Sequence, residues 1–380
     1  MRIHITLLLF TIYGSSLLYS QQIPPETPIN QLQFFGSHNS YRLKTYEPLW
    51  EELKKLKHPF SKAFLIKPWN YSHSASLDSQ LTVYGLRSLE LDIYHDPTGG
   101  RFYSRKANKM MGEKTESGIE DLKKPGLKIM HVPDFDYQTH HYLFTEALKE
   151  IKNWSENNSN HEPLFIMVEM KELHFMKYFF PKKCTKVLPF TKNAVDSIDM
   201  EIESVFGKNS EMIFSPDEMR GNYSTLNECA LSEGWPTLEK SRGKIFFILQ
   251  GPKKAKENYL QDHYSLKGRT MFLFSEEDQP ETAFILKDNP KKMKKDIEKL
   301  VKKGYMVRSR TDEHTREARR EKYKRYNSAF ESGAQIICSD YYAGDKCFLD
   351  KKTCSPYKTS LPGGEIFRIN PIFISDTTKK

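Results

Sequence analysis

Four short segments contain the side chains that could carry out chemistry, and each follows a run of apolar residues. They are Gly36-Ser37-His38-Asn39-Ser40-Tyr41, Leu89-Glu90-Leu91-Asp92, His131-Val132-Pro133-Asp134 and Val168-Glu169-Met170-Lys171. Histidines can transfer protons, whereas amide and carboxylate oxygens suit a hard cation such as Ca²⁺ or Mg²⁺ better than zinc. This combination predicts cleavage of a phosphodiester beside a divalent cation.

The spacing of the charged residues predicts which of them face the same way. Side chains alternate between the two faces of a strand, so Glu90 and Asp92 share one face. The same spacing relates two further pairs, Glu169 with Lys171 and Arg308 with Arg310. Charged pairs buried inside a sheet are costly without partners, whereas barrel enzymes place such groups at the C-terminal mouth. We therefore expect the three pairs to surround one site.

Each charged group has a chemical task in that prediction. Asn39, Glu90, Asp92 and Glu169 are the expected metal ligands, and calcium is preferred because its coordination shell is larger and more flexible. The proton-handling or phosphoryl-binding groups would be His38 and His131. Lys171 and the arginines Arg308 and Arg310 are the candidates for binding an anionic head group of the substrate.

Eight short runs rich in Val, Ile and Phe predict the strands that must position these groups. The runs are Leu32 to Gly36, Arg87 to Ile93, Leu127 to His131, Leu164 to Lys171, Lys244 to Gln250, Met271 to Phe274, Tyr305 to Arg310 and Gln335 to Asp340. Helix-like segments, such as Tyr142 to Trp154, Lys291 to Lys303 and Glu313 to Phe330, separate several of them. This α/β pattern predicts a TIM-type (β/α)₈ barrel with long insertions after the first, second and fourth strands. The alternative, an open doubly wound sheet, lacks a glycine-rich dinucleotide loop.

The N-terminal residues have the composition of a secretory signal. A basic start at Arg2 precedes the apolar run from Ile5 to Leu9, and Ser20 is a small residue at a possible cleavage point. The run is too short and too polar for a comfortable membrane span. We expect a signal peptide at residues 1–20, one barrel domain at 21–380, and a secreted or periplasmic protein, with an uncleaved anchor as the alternative.

Five cysteines fit that compartment. Cys347 and Cys354 are close together in a loop-like stretch and are expected to pair. Cys184 and Cys229 bracket a long irregular insertion, a candidate lid or subdomain, and could staple it. Cys338 lies in an apolar run and is predicted to be a small buried residue.

The formal charge of +9 predicts affinity for something anionic. Much of that charge lies between Lys287 and Lys303, where one helical face is apolar: Met293, Ile297, Leu300 and Val301. The favoured interpretation is a helix that covers the barrel and exposes its lysines to solvent. The alternative is a transient electrostatic contact with an anionic membrane surface. A nucleic-acid partner is not expected, because no basic and aromatic recognition module is present.

These segments resemble the calcium-dependent phosphatidylinositol-specific phospholipase C family, in particular its small secreted single-domain branch. The resemblance covers most of the chain after the signal and rests on the following residues: His38-Asn39, Glu90-Leu91-Asp92, His131, Glu169, Val307-Arg308-Ser309-Arg310-Thr311-Asp312, Ser332-Gly333-Ala334-Gln335 and Ser339-Asp340-Tyr341. It implies a TIM-type barrel that cleaves phosphatidylinositol lipids to diacylglycerol and an inositol (cyclic) phosphate. It also implies that His38 and His131 are the catalytic histidines and that the four oxygen ligands above bind Ca²⁺. Lys171 matches a phosphate-side position only loosely.

Two other functions are compatible with such a barrel. A glycerophosphodiester phosphodiesterase has a similar metal site, but there an arginine follows the first histidine, whereas Asn39 follows His38 here. The second histidine of that family also lies close to the Glu/Asp pair, whereas His131 is far beyond Asp92. A catalytically silent protein that binds inositol head groups would usually lack a histidine or a metal ligand, and none is missing. We therefore predict a monomeric calcium-dependent enzyme that acts on inositol phospholipids.

Overall fold

The computed structural model describes residues 23–56, 67–343 and 356–374. The predicted signal peptide and the predicted Cys347–Cys354 pair lie outside these residues. The strands are β1 (Leu32–Ser37), β2 (Ser88–Tyr94), β3 (Lys128–Ile129), β4 (Leu164–Met170), β5 (Ile245–Gln250), β6 (Phe272–Leu273), β7 (Phe284–Leu286), β8 (Met306–Arg310), β9 (Ile336–Ser339) and β10 (Phe367–Ile369). The α-helices are α1 (Glu47–Lys54), α2 (Leu77–Thr82), α3 (Phe144–Asn157), α4 (Lys192–Phe206), α5 (Pro216–Arg220), α6 (Leu226–Leu231), α7 (Leu238–Ser241), α8 (Lys253–Leu260), α9 (Pro290–Lys303), α10 (Arg316–Arg320) and α11 (Lys324–Glu331). Within the described part of the chain, none of the helices is long and apolar enough to cross a bilayer.

Eight parallel strands form the ring of a barrel. Their order is β6-β5-β4-β2-β1-β9-β8-β7, and a parallel bridge between Phe274 and Phe284 joins the two ends. The long connections after β1, β2 and β4 confirm the predicted insertions. The (β/α)₈ architecture predicted from the alternation of strands and helices is therefore confirmed.

The membership of the ring differs from the prediction at one strand. The predicted strand Leu127 to His131 is reduced to β3, which pairs antiparallel with β2 outside the ring. The place in the ring is taken by β7, whose three residues are too few to give a periodic signal. The predicted helix Glu313 to Phe330 is also wrong as one element, because Glu321 has a left-handed backbone that separates α10 from α11.

Phenylalanines from five of the eight ring strands pack together in the barrel interior. Ring centroids of successive members lie 5.0–6.0 Å apart, and the contact between the first two reaches across β2: Phe34, Phe165, Phe246, Phe272 and Phe284. Aromatic rings at such separations pack favourably in a core. Side chains that follow at even spacing on the same strands point into the barrel above this layer.

The predicted lid is part of the helical layer instead. The helix α4 buries Val195, Ile198 and Ile202 in the main core and packs against α3 and α8. Cys184 and Cys229 are free thiols, so the predicted disulfide is wrong. Cys229 lies in the main core, whereas Cys184 packs against a separate apolar cluster. Their Sγ atoms donate to different carbonyl oxygens, those of Phe180 and Met219.

Two further predictions are confirmed. Cys338 is buried on β9. The lysine-rich segment forms α9, and its buried face of Ile297, Leu300 and Val301 packs in a second apolar cluster, with Met293 against it. Several lysines of α9 form ion pairs across its solvent side: Lys294 with Glu331, and Lys299 and Lys303 with Glu277. These contacts favour the interpretation of α9 as a covering helix.

Candidate active site

Charged side chains enter the barrel mouth from β2, β4 and β8 and from just beyond β1 and β9. The period of two explains their position: Glu169 lies four residues after the interior Phe165, and His38 four residues after Phe34. The register of the sheet places Asp92 opposite Glu169. The sequence therefore brings these groups together at the carboxyl ends of the strands, where barrel enzymes have their sites.

His38 is held between a carboxylate and a guanidinium. Its Nδ1 lies 2.7 Å from Oδ1 of Asp340, and its Nε2 lies 3.0 Å from Nη1 of Arg310. A guanidinium only donates, so Nε2 must accept and the proton of the ring must be on Nδ1, donated to Asp340. Burial and then the charges of Arg310 and Arg308 lower the pKa of His38 well below its usual value. His38 is therefore neutral at pH 7 in this arrangement.

His131 has a carboxylate partner and faces a cavity. Its Nδ1 lies 2.6 Å from Oδ2 of Asp136, and Asp136 also accepts a hydrogen bond from Arg42 Nε at 2.7 Å. Burial alone would raise the pKa of Asp136, but Arg42 and His131 outweigh it and lower that pKa to about 2. The ionised Asp136 accepts a hydrogen bond from Nδ1 of His131 and so orients the imidazole ring. The adjoining cavity, of about 370 Å³, is also lined by Glu169 and Lys171.

Three carboxylates form a cluster between the two histidines. Glu90, Asp92 and Glu169 each offer an oxygen within 4.8 Å of the others. Burial raises the pKa of Glu90 to about 8, with Asp92 and Glu169 adding to the effect against Arg308, and burial also raises the pKa of Asp92. Oδ2 of Asp92 lies 3.1 Å from Nζ of Lys171. Carboxylate oxygens gathered in this way are the ligands that Ca²⁺ prefers, so the donor set fits a divalent cation such as Ca²⁺.

Asn39 is connected to this cluster through Tyr41, which interacts with both Asn39 and Asp92. It has a left-handed backbone with φ of 49°, a conformation that asparagine tolerates better than most residues. Its Nδ2 donates to the hydroxyl of Tyr71 at 2.7 Å, and its Oδ1 accepts from Tyr41 at 3.4 Å. Because Nδ2 is engaged, the amide is oriented with its oxygen toward Tyr41, whose pKa is raised well above its usual value by burial and by the charge of Asp92.

The three predicted head-group cations are all paired within the site. Lys171 Nζ lies 3.1 Å from Oδ2 of Asp92 and 2.9 Å from Oε1 of Glu169. Arg308 contacts Glu90 through Nη2 and Asp288 through Nη1. Arg310 donates to Asp340 at 3.0 Å in addition to contacting His38. Arg308 thus orients Glu90, a candidate metal ligand, and Arg310 orients His38, a candidate catalytic histidine.

Sequence reasoning missed the aspartates that orient the histidines. Asp340 was part of the family resemblance but had no role assigned, and Asp136 was not considered. Asp134, which lies in one of the four segments named at the start, has a structural role. It accepts hydrogen bonds from the backbone N–H groups of Lys106 at 2.7 Å and Thr185 at 2.6 Å. Two aspartates follow His131 at short range, and only the path of the loop decides which of them faces its ring.

Comparisons with known proteins identify the family of the chain and structures of similar fold. The family model of the calcium-dependent phosphoinositide phospholipases C matches residues 27–371. A search of curated proteins found no match. A calcium-dependent phosphoinositol-specific phospholipase C from Pseudomonas has a similar structure, with 13% identity, 91% of this chain and 96% of that chain covered, and a TM-score of 0.52. A calcium-dependent phosphatidylinositol-specific phospholipase C from Streptomyces antibioticus has 14% identity, with 83% of this chain and 95% of that chain covered and a TM-score of 0.49. At these identities the first structure supports the fold.

Proposed function

Because this chain belongs to the calcium-dependent phosphoinositide phospholipase C family, whose members are phosphoric diester hydrolases, we propose that it cleaves phosphatidylinositol-type lipids at the barrel mouth. The products are diacylglycerol and an inositol phosphate, released in its cyclic form. The observation that carries the proposal is the pairing of two aspartate-bound histidines with a three-carboxylate cluster at one end of the barrel.

The cation and the head group have separate ligands in this proposal. Asn39, Glu90, Asp92 and Glu169 would hold Ca²⁺. When bound, the ion supplies positive charge that lowers the pKa of a substrate hydroxyl and offsets charge on the phosphoryl oxygens. Lys171 and Arg310 lie beside this cluster and provide further positive charge for the phosphate.

The two histidines differ in their surroundings, and the difference assigns their roles. His131 lines the cavity and its Nδ1 contacts Asp136, which fixes the orientation of the ring, so we assign His131 as the general acid that protonates the glycerol oxygen as the phosphorus–oxygen bond breaks. The inositol 2-hydroxyl attacks phosphorus in the same step. His38 stays neutral beside Arg310, which suits it to accept a proton or a hydrogen bond at Nε2.

The test is release of water-soluble inositol phosphate from phosphatidylinositol vesicles, with calcium and then with excess chelator. We expect activity that requires calcium and that His131→Ala reduces by about 10³-fold, in the range for a lost general acid. Activity indifferent to chelator would contradict the metal assignment. Turnover of glycerophosphodiesters without turnover of the lipid would contradict the substrate assignment.

We also infer that residues 1–20 direct export of the protein. The inference is supported by the basic start and by the apolar run that contains Leu8. Expression of the full chain in a secreting host, followed by N-terminal sequencing of the product in the medium, should give a start close to Gln21. Leu8→Arg should retain the protein in the cells, and a wild-type protein that stays cell-associated with its N-terminus intact would overturn the inference.

A further inference from the structure

One segment at the barrel mouth combines exposed apolar side chains with unpaired positive charge. Residues 173–186, which we call the rim loop, follow the last ligand-bearing part of β4. They contain four lysines and no aspartate or glutamate. Leu173 is 60% exposed and Tyr178 is 78% exposed. Large apolar side chains at such exposure next to a binding cavity are typical of an interaction surface.

The inner side of the rim loop is firmly packed. Met176 is fully buried, and the ring of Phe180 lies 5.3 Å from that of Phe135. Asp134 ties down both ends of the loop, because its Oδ2 lies 3.2 Å from Nε2 of His174 and accepts from the backbone of Thr185 at 2.6 Å. The outward direction of Leu173 and Tyr178 is therefore set by the fold of the loop rather than by a lack of packing.

The rim loop adjoins the catalytic cavity directly. Leu173 and Phe175 line the same cavity as His131. The ring of Phe175 lies 5.7 Å from that of Trp69, which in turn lies 5.8 Å from the imidazole of His131. Whatever contacts the exposed side of the loop is consequently brought to the opening of the site.

The charge of the loop indicates the chemistry of its partner. Its four lysines form no ion pair with any carboxylate of the described residues: Lys177, Lys182, Lys183 and Lys186. The lysine-rich α9 also has lysines without an ion pair among the described residues, but it differs in that its apolar face of Ile297, Leu300 and Val301 is buried and offers no apolar side chain to a bilayer. Apolar and aromatic side chains beside unpaired lysines suit the interface of an anionic bilayer, where rings and aliphatic groups enter the head-group region and lysines meet lipid phosphates.

We propose that the rim loop docks the protein on an anionic phospholipid membrane, so that Leu173 and Tyr178 enter the interface and the catalytic cavity faces the lipid head groups. This proposal rests on the proposed function, since a lipid whose diacylglycerol stays in the bilayer can be cleaved only by a site held at the bilayer surface. It assigns the membrane contact to the rim loop and not to α9.

The experiment measures binding to vesicles that contain no substrate. Wild-type protein is co-sedimented with phosphatidylcholine vesicles with and without phosphatidylglycerol. The variant Leu173→Ser/Tyr178→Ser should partition at least about tenfold more weakly. The matched control Val83→Ser/Tyr264→Ser removes two side chains of similar exposure, 70% and 68%. They lie in the connections that lead into β2 and β6, at the end of the barrel opposite the mouth, so the control should bind like wild type. A wild type that binds no vesicles, or a rim variant that binds as well as the control, would overturn the proposal.

The lysines are tested by charge reversal at two places. Lys177→Glu/Lys182→Glu/Lys186→Glu should abolish the preference for phosphatidylglycerol, whereas Lys291→Glu/Lys292→Glu/Lys295→Glu on α9 makes the same charge change and should preserve it. All six side chains are exposed, so the variants should unfold at the wild-type temperature. Loss of binding in the α9 variant alone would overturn the assignment to the rim loop.

Turnover separates this proposal from the proposed function. The Tyr178→Ser variant, which changes a side chain outside the cavity lining, should lose about fivefold in rate on phosphatidylinositol vesicles but keep the wild-type rate on a soluble monomeric inositol phosphodiester. An equal loss on both substrates would overturn the docking role. If the wild type cleaves neither substrate, the proposed function fails, while the vesicle-binding comparison still decides whether the rim loop docks on membranes.

Discussion

Nζ of Lys171 lies 3.1 Å from Oδ2 of Asp92 and 2.9 Å from Oε1 of Glu169, so an ammonium group of the chain itself lies among the carboxylates that would bind calcium. Burial lowers the pKa of a lysine, but the charges of these two carboxylates outweigh it and hold the pKa of Lys171 well above its usual value. Lys171 therefore stays charged and competes with any cation at this position.

Removing that competitor should tighten calcium binding. Lys171→Met keeps the aliphatic stem of the side chain and deletes its charge, and we expect calcium affinity to rise about tenfold, or about 1.4 kcal/mol. Titration calorimetry measures the change directly. Lys192→Met, which deletes a lysine exposed on the surface and paired with Asp262, is the control and should leave the affinity unaltered. Weaker binding by Lys171→Met would mean that the lysine supports the metal site.

The same variant should make stability depend on calcium. Without Lys171, the chelated protein keeps Asp92 buried beside Glu169 with no cation nearby, and leaving a buried charge unpaired costs about 3–5 kcal/mol. We expect thermal unfolding of Lys171→Met in chelator to occur well below the wild-type temperature, and calcium to restore most of the difference.

The general-acid role of His131 predicts a dependence on the leaving group. His131→Ala should slow cleavage of the lipid by about 10³-fold but slow an inositol aryl phosphodiester by less than about tenfold, because a phenolate leaves without a proton. Steady-state rates on the two substrates measure the effect. His38→Ala is the informative comparison, since a group that acts on the attacking side should be needed for both substrates. Equal losses for His131→Ala would contradict its role as acid.

Glu201 on α4 should make the stability of the protein fall with rising pH. Its Oε1 accepts a hydrogen bond from the backbone of Leu127 at 2.8 Å, and burial raises its pKa from 4.5 to about 7. Between pH 4.5 and about pH 7, the folded state therefore keeps a proton on Glu201 that the unfolded state has lost. The contribution of this proton to the stability of the fold is complete below pH 4.5 and is lost as the pH rises through 7.

Glu201→Gln removes this titration and keeps a side-chain acceptor. From about pH 5 to about pH 8, the free energy of unfolding of wild type should fall by about 2 kcal/mol relative to this variant. Urea unfolding at the two pH values measures the difference. Glu203→Gln on the same helix is the control and should follow wild type; parallel curves for wild type and Glu201→Gln would refute the prediction.

Gly36 should be essential to the pairing of β1 with β2. A Cβ at this position would lie 2.3 Å from the carbonyl oxygen of Ser88, so the strands that carry His38 and Glu90 would have to separate. We expect Gly36→Ala to cost about 3 kcal/mol in urea unfolding. Gly207→Ala meets no atom within 4 Å, and only its backbone φ of 94° is unfavourable, so it should cost about 1 kcal/mol.

The barrel and the main groups of the site follow from local features of the sequence. Short apolar runs between amphipathic segments predict parallel strands, and the alternation of side chains fixes which residues face the mouth. Since all carboxyl ends of a parallel barrel meet at one end, Glu90, Asp92 and Glu169 converge wherever the loops run. His38 could be assigned to the same end for that reason, whereas His131 follows β3, which pairs antiparallel with β2 outside the ring, so its place at the mouth depends on the tertiary structure.

The tertiary structure decided what depends on contacts between distant segments. Periodicity reports that a run is buried but not which strand it pairs with, so β3 could not be told from a ring strand and the short β7 gave no signal. The choice of Asp136 rather than Asp134 as the partner of His131 depends on the path of one loop. The pairing of Lys171 with Asp92, the separation of Cys184 from Cys229 and the outward face of the rim loop likewise arise only when the barrel closes, because each depends on the distance between residues that the sequence does not relate.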